Sequence, residues 1–193
     1  MNRIALLHVL GWIWAVFGLY WWLVASSRIK QEQTSEPPVY RLLRLVILAI
    51  TFTLLFGRWT GIGVLGRHFL PLIAWAEYTG FALAVAGIAL ALWARIHLGQ
   101  FWSDKVVLKI DHELIRTGPY AFLRHPIYSG VLLGVGGTAI LLGEWRGVLA
   151  FFILLTNYWI KAKREDRILA GAFPSTFTDH KNQAGFLLPR LRR

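Results

Sequence analysis

The sequence contains no cysteine. That excludes disulfides, thiolate nucleophiles and thiolate-held metal or redox centres. Charge is scarce too: 16% of residues are Asp, Glu, Lys or Arg, against about 25% in an ordinary soluble domain. Acids are the scarcer sign, ten Asp and Glu beside 21 Lys and Arg, for a formal net charge of +11. No internal repeat and no low-complexity stretch interrupts the chain, so a single domain over residues 1–193 is expected. Of the six histidines, His112 and His125 have no partners at ligand spacing, so no metal site is expected.

What fills the chain instead is apolar. Hydrophobic residues make up 56% of it, with 10 Trp, 12 Phe and 6 Tyr. A domain this small buries only about two-thirds of its chain surface, so the excess must face lipid. A basic excess can also mean nucleic acid, but here the charges lie between apolar runs rather than across a polar face, so no nucleic-acid partner is expected. The expected fold is all-α and membrane-embedded, with about five transmembrane helices over residues 4–25, 42–56, 71–94, 127–142 and 147–160. The first run lacks a small-residue cleavage site and is read as a retained span. Only Gly143, Glu144, Trp145 and Arg146 separate the last two runs, which predicts a short helical hairpin. Gly130, Gly134, Gly136 and Gly137 are expected to let its two helices approach closely.

Seventeen of the 21 Lys and Arg residues fall in the first loop, the third loop and the C-terminal tail; Arg3, Arg58, Arg67 and Arg146 fall on the other side. The positive-inside rule then puts the N-terminus outside and the C-terminus in the cytoplasm. Residues 1–94 would supply three spans, and residues 95–193 a catalytic loop, the hairpin and the tail.

Polar chemistry gathers on that cytoplasmic side. His112-Glu113-Leu114-Ile115 leads to the turn Gly118-Pro119-Tyr120. Arg124-His125-Pro126-Ile127-Tyr128-Ser129-Gly130 then opens the fourth span, with Pro126 in its first turn. The fifth span exits into Lys161-Ala162-Lys163-Arg164-Glu165-Asp166, where Lys161 and Glu165 share a helix face. A loop and a helix end would thus converge on one cytoplasmic-facing pocket. Carboxylates there could hold a ribose diol or an ammonium, and His and Tyr could stack on a base. Methyl transfer from a sulfonium, which needs positioning more than covalent help, suits such a pocket.

These motifs resemble the signature of the isoprenylcysteine carboxyl methyltransferase family, which is related to the phospholipid methyltransferases. The likeness runs over residues 90–189, and Glu165-Asp166-x-x-Leu169 with Phe173 continues it. It implies a multi-span enzyme that uses S-adenosylmethionine and methylates a carboxylate at the membrane face, its acceptor a lipophilic small molecule or a prenylated protein. It carries cofactor positions onto His112, Glu113, Leu114, Ile115, Tyr120, His125, Pro126, Ile127, Tyr128 and Glu165. Lys161 stands where the family has a substrate-facing Arg, which keeps the charge but loses the bidentate fork. Lys161, Glu165 and Arg124 are the catalytic candidates. The family's Phe-Gly-x-x-Tyr-x-x-Tyr tail is here Phe173-Pro174-x-x-Phe177-x-x-His180, a departure that bears on the acceptor.

Plainer readings stand beside these. Tyr120 and Tyr128 could be interfacial aromatics, Arg124 a positive-inside anchor, Lys161 a snorkelling lysine and Glu165 half of a solvated ion pair. Glu77 lies near the outer end of the third span, where an interfacial position is expected. Competing functions are a phospholipid-amine N-methyltransferase, a membrane reductase using a nicotinamide cofactor, and a non-enzymatic transporter or scaffold.

Overall fold

The structure, a computed structural model, describes residues 2–26, 38–71, 73–99 and 114–190. Six α-helices follow one another: α1 (Arg3–Ser26), α2 (Pro38–Phe56), α3 (Ala74–Leu98), α4 (Pro126–Leu142), α5 (Trp145–Ala172) and α6 (Pro174–Gln183). Short 3-10 turns at Arg58–Thr60, Gly63–Gly66 and Gly118–Ala121 punctuate them. Among the described residues no strand forms. Two isolated bridges, His68 with Glu144 and Leu123 with Gly185, pin loops to helix ends.

Apolar residues surround α1 rather than forming one stripe. Leu6, Leu10 and Trp14, one turn apart, are buried against the bundle, while Trp12 is 74% and Trp22 66% exposed. A helix apolar on every side is a buried or membrane helix. α1 over Arg3–Val24 and α3 over Ala74–Leu98 are long and apolar enough to cross a bilayer. The apolar part of α2, Leu42–Phe56, and α4 are shorter. Exposed Leu, Val and Trp side chains continue over α2 and α3, so the outer surface suits hydrocarbon better than water.

The strongest packing joins α3 to α4, not α4 to α5. Gly80, Ala84, Gly87 and Ala91 of α3 face Gly130, Gly134 and Gly137 of α4. A Cβ added at Gly80 would come 2.5 Å from the Leu141 backbone nitrogen, and one at Gly130 2.6 Å from that of Ala91. The two main chains therefore touch, as small residues permit in apolar surroundings. This corrects the expectation that the α4 glycines serve the hairpin. Only Gly136 looks toward α5, at Phe151, and α5 contributes Gly147 against Ala139. A polar bond crosses the interior from Trp14 Nε1 to Thr138 Oγ1 at 3.1 Å.

The hairpin turn itself is as expected. Gly143 closes α4 in the left-handed conformation at φ 71°, and α5 begins at Trp145. α5 then continues past residue 160 to Ala172. The apolar run ends there, but Lys161, Ala162, Lys163, Arg164 and Glu165 are good helix formers and carry the helix on. The polar residues expected in a tail after the span are thus fixed on a rigid helix.

Candidate functional site

α4 begins, and the polar part of α5 lies, at the same end of the bundle. His125 precedes Pro126, whose fixed φ starts α4. It is buried and sits between two acids of α5. Its Nε2–H donates to Asp166 Oδ1 at 2.8 Å, and its Nδ1 lies 3.3 Å from Glu165 Oε2. One turn into α4, the Tyr128 hydroxyl donates to Glu165 Oε1 at 2.5 Å. The rings of His125 and Tyr128 stack at 5.6 Å, and Tyr128 stacks on Tyr158 at 4.8 Å. Lys161 Nζ lies 5.3 Å from the centroid of the Tyr128 ring, a cation–π approach.

Charge is settled by these neighbours. Burial alone would push the His125 pKa down, but its bonds to Asp166 and Glu165 and their negative charges outweigh it and hold the pKa above the ordinary value. Burial would raise the Glu165 carboxyl. The His125 bond, the Lys161 charge and the Tyr128 hydroxyl overcome this and keep it below the usual carboxylate range. The His125 ring thus bridges the carboxyl groups of Glu165 and Asp166. Burial, with the Glu165 charge, raises the Tyr120 phenol and keeps it protonated.

The sequence-predicted residues separate into three groups. His125, Tyr128, Lys161 and Glu165 converge as described. Tyr120 and Ile127 pack with Ala94 and with Ile115 just behind them, and the Tyr120 hydroxyl reaches the Ala94 carbonyl at 3.4 Å. Leu114 is half-buried beside Ile115 in chain without regular secondary structure, and Pro126 is buried. His112 and Glu113 lie outside the described residues. Arg124 meets the cluster only at its edge, through Asp166. It pairs with Asp166 at 3.3 Å, lies over Phe186 at 5.3 Å and reaches the Lys181 carbonyl.

Other participants carried no assigned role in the sequence. Asp166 clamps both Arg124 and His125. Its signal was adjacency to Glu165 where an apolar run ends. Phe186 meets His125 edge-on at 5.3 Å. It belongs to a C-terminal segment tied back by Arg124 N–H to the Gly185 carbonyl at 2.8 Å and by Ser129 Oγ to the Leu187 carbonyl at 2.8 Å. His180 is buried on α6. Burial and the charges of Arg124, Arg116 and His125 lower its pKa to about 4, so it stays neutral where His125 is charged.

An apolar cavity of about 740 Å³ adjoins the cluster. Its walls include Trp14, Phe17 and Trp21 of α1, Leu48 and Phe52 of α2 and Val131 of α4. Near the His125 end, Arg44, Tyr128, Asn157, Tyr158 and Lys161 line it with polar groups. Tyr128 is shared: one side of the residue faces this cavity, and its hydroxyl holds Glu165. Among the described residues no group of His, Asp and Glu has the arrangement of a metal site.

Residues 80–171 match the family model for the isoprenylcysteine carboxyl methyltransferase family. The cobalt-zinc-cadmium resistance protein CzcN of Cupriavidus metallidurans is 31% identical over 152 residues, 77% of this chain and 62% of that protein. The protein-S-isoprenylcysteine O-methyltransferase of Schizosaccharomyces pombe is 29% identical over 99 residues, 50% of this chain and 42% of that one. The chain thus spans less than two-thirds of either relative. A solved structure of a eukaryotic intramembrane Ras methyltransferase, an isoprenylcysteine carboxyl methyltransferase, superposes with a TM-score of 0.54 at 23% identity. The match covers 81% of this chain and 54% of that one, and it is a likeness of fold.

Proposed function

From the match of residues 80–171 to the isoprenylcysteine carboxyl methyltransferase family, we propose that the chain transfers a methyl group from S-adenosylmethionine to a carboxylate on a lipophilic acceptor. The observation that carries this reading is the double duty of Tyr128, which walls the apolar cavity and also holds the buried Glu165. One residue thereby joins a place for a lipid chain to a place for a charged nucleoside.

The residues present suit the donor. A buried carboxylate beside stacked aromatic rings complements a sulfonium. Tyr120, His125, Pro126, Ile127, Tyr128 and Glu165 would hold S-adenosylmethionine, which when bound supplies a methyl group on positively charged sulfur. His112, Glu113, Leu114 and Ile115 complete the set in the family pattern.

The chain's own part is positional. A carboxylate acceptor arrives ionised, so no proton has to be removed and no general base is required. Lys161, over the Tyr128 ring, supplies a positive charge near the acceptor oxygen. The apolar walls exclude water, which strengthens each electrostatic contact inside. Alignment of donor and acceptor then accounts for most of the acceleration.

In the membrane, α1 to α4 and the apolar part of α5 would make five spans. The seventeen-to-four distribution of Lys and Arg puts the His125 end and the C-terminus on the cytoplasmic side, where a water-soluble donor can enter.

The test is a methyl-transfer assay on purified protein in lipid nanodiscs, with isotopically labelled S-adenosylmethionine and either N-acetyl-S-farnesylcysteine or extracted phospholipid. Base-labile label on the farnesylcysteine is expected. Label confined to phospholipid amines would establish the N-methyltransferase instead. Calorimetric binding of NADPH, with none of S-adenosylhomocysteine, would overturn the methyltransferase reading.

A further inference from the structure

Asn157 is a polar residue in the apolar stretch of α5, and its side-chain nitrogen is buried with no hydrogen-bond partner among the described residues. A buried amide N–H left unmade is costly, and a polar side chain at bilayer depth faces a protein interior or cavity rather than lipid. Asn157 lines the 740 Å³ cavity. It precedes Lys161 by four residues and Glu165 by eight, so the three lie along one face of α5. The face reads, from cavity toward cluster, as a neutral donor, a cation and a carboxylate. Arg44 of α2 adds a second cation to the same cavity wall. No acidic side chain lines the cavity among the described residues. Its polar end therefore carries two cations beside neutral amide and hydroxyl groups and no carboxylate, which suits an oxyanion better than an ammonium.

Resting on the methyltransferase reading above, we propose that Asn157 is a specificity-determining residue: its amide N–H binds one oxygen of the acceptor's carboxylate, alongside Lys161. The lipid tail fills the space between α1 and α2. The acceptor's head group then lies one to two helical turns from Glu165, beside Tyr128. An amine-headed lipid of the same chain length finds no acceptor group at that position and is rejected.

The test reads binding, so it does not depend on turnover. Trp14, Trp21 and Trp22 line the cavity, so ligand entry changes tryptophan fluorescence. The wild-type protein is titrated in detergent, with S-adenosylhomocysteine present so that no methyl group moves, using N-acetyl-S-farnesylcysteine and farnesylamine. The carboxylate probe is expected to bind at least about tenfold more tightly, the scale of a charged hydrogen bond. Asn157→Asp is expected to weaken the carboxylate probe by about tenfold or more and to narrow or invert the preference. Asn157→Ala should weaken it less. Affinity for S-adenosylhomocysteine should be the same in all three, which reports an intact fold. Equal wild-type affinity for the two probes would overturn the proposal, and it needs no variant. So would an Asn157→Asp protein that binds the carboxylate probe like wild type. Loss of S-adenosylhomocysteine binding in the wild type would count against the methyltransferase reading, not against the role of Asn157.

Discussion

Buried charge sits at both ends of the α4–α5 hairpin, and the two ends use it differently. At the turn, Arg146 Nε binds Glu144 at 2.6 Å, and its Nη1 reaches the Gly57 carbonyl at 2.6 Å and Thr60 Oγ1 at 2.9 Å. The ion pair is local, and the remaining donors cap the C-terminal end of α2. Beyond Glu144 and the Thr60 hydroxyl, the partners of Arg146 are the chain's own backbone carbonyls at Leu54 and Gly57. At the other end, roughly 25 Å away by helical rise, charge is shared among side chains of α4 and α5 and borders a cavity. A buried ion pair by itself is therefore no mark of a site. The distinguishing features are two carboxyl groups gathered on one histidine and an adjoining space that the chain does not fill.

Substitutions at the two ends should separate stability from binding. The largest effect is expected at the turn. Arg146→Ala leaves Glu144 and the α2 carbonyls without their partner, at a cost of about 3–5 kcal/mol. Thermal unfolding in detergent should show it, while S-adenosylhomocysteine affinity of the folded fraction stays near wild type. Lost affinity without lost stability would break the comparison. Next comes Glu165→Gln, which removes the negative charge between His125, Tyr128 and Lys161. Calorimetric affinity for S-adenosylhomocysteine should fall about 10–100-fold, the equivalent of about 1.5–3 kcal/mol. Methyl transfer should fall with it. Unchanged affinity would remove the cluster from the donor site.

A smaller effect belongs to the middle of the bundle. Trp14→Phe deletes the bond to Thr138 and keeps the ring, and should cost about 0.6–1.7 kcal/mol, read as a drop in melting temperature. The smallest concerns pH. The His180 pKa is lowered to about 4 in the folded protein, so the unfolded chain binds that proton first. Its contribution is whole above the ordinary histidine value near 6.5 and is lost as pH falls toward 4. The raised His125 acts oppositely: its contribution is whole below about 6.5 and is lost as pH rises through the folded value. A melting profile from pH 4 to 9 should flatten on its acid side in His180→Gln. An unchanged acid limb would remove His180 from the balance.

Much of this was legible in the chain. The apolar runs located the helices, and the polar residues gathered in the third loop and at the end of the fifth span anticipated that two distant segments meet. The partner of the glycine-rich face was not legible. Gly130, Gly134 and Gly137 specify a flat surface, but nothing local says whether α3 or α5 lies on it. Arg146 read as one more loop charge because its partners are backbone carbonyls, which every sequence has. The end of α5 was set too early because the apolar run stops at residue 160 while helix-forming residues continue. Asn157 drew no notice because a single amide in an apolar helix has no pattern. Only its unmet nitrogen beside a cavity distinguishes it.

Main-chain contact between α3 and α4 has a mechanical consequence. Where two backbones touch without a layer of side chains between them, neither rod can tilt or roll without carrying the other. The pair behaves as a keel. Admission of a bulky guest is then expected from displacement of α1 and α2, which meet each other through large, repackable rings such as Trp14 and Phe52. A crosslink joining α3 to α4 should leave turnover intact, whereas one fastening α1 to α2 should stop it.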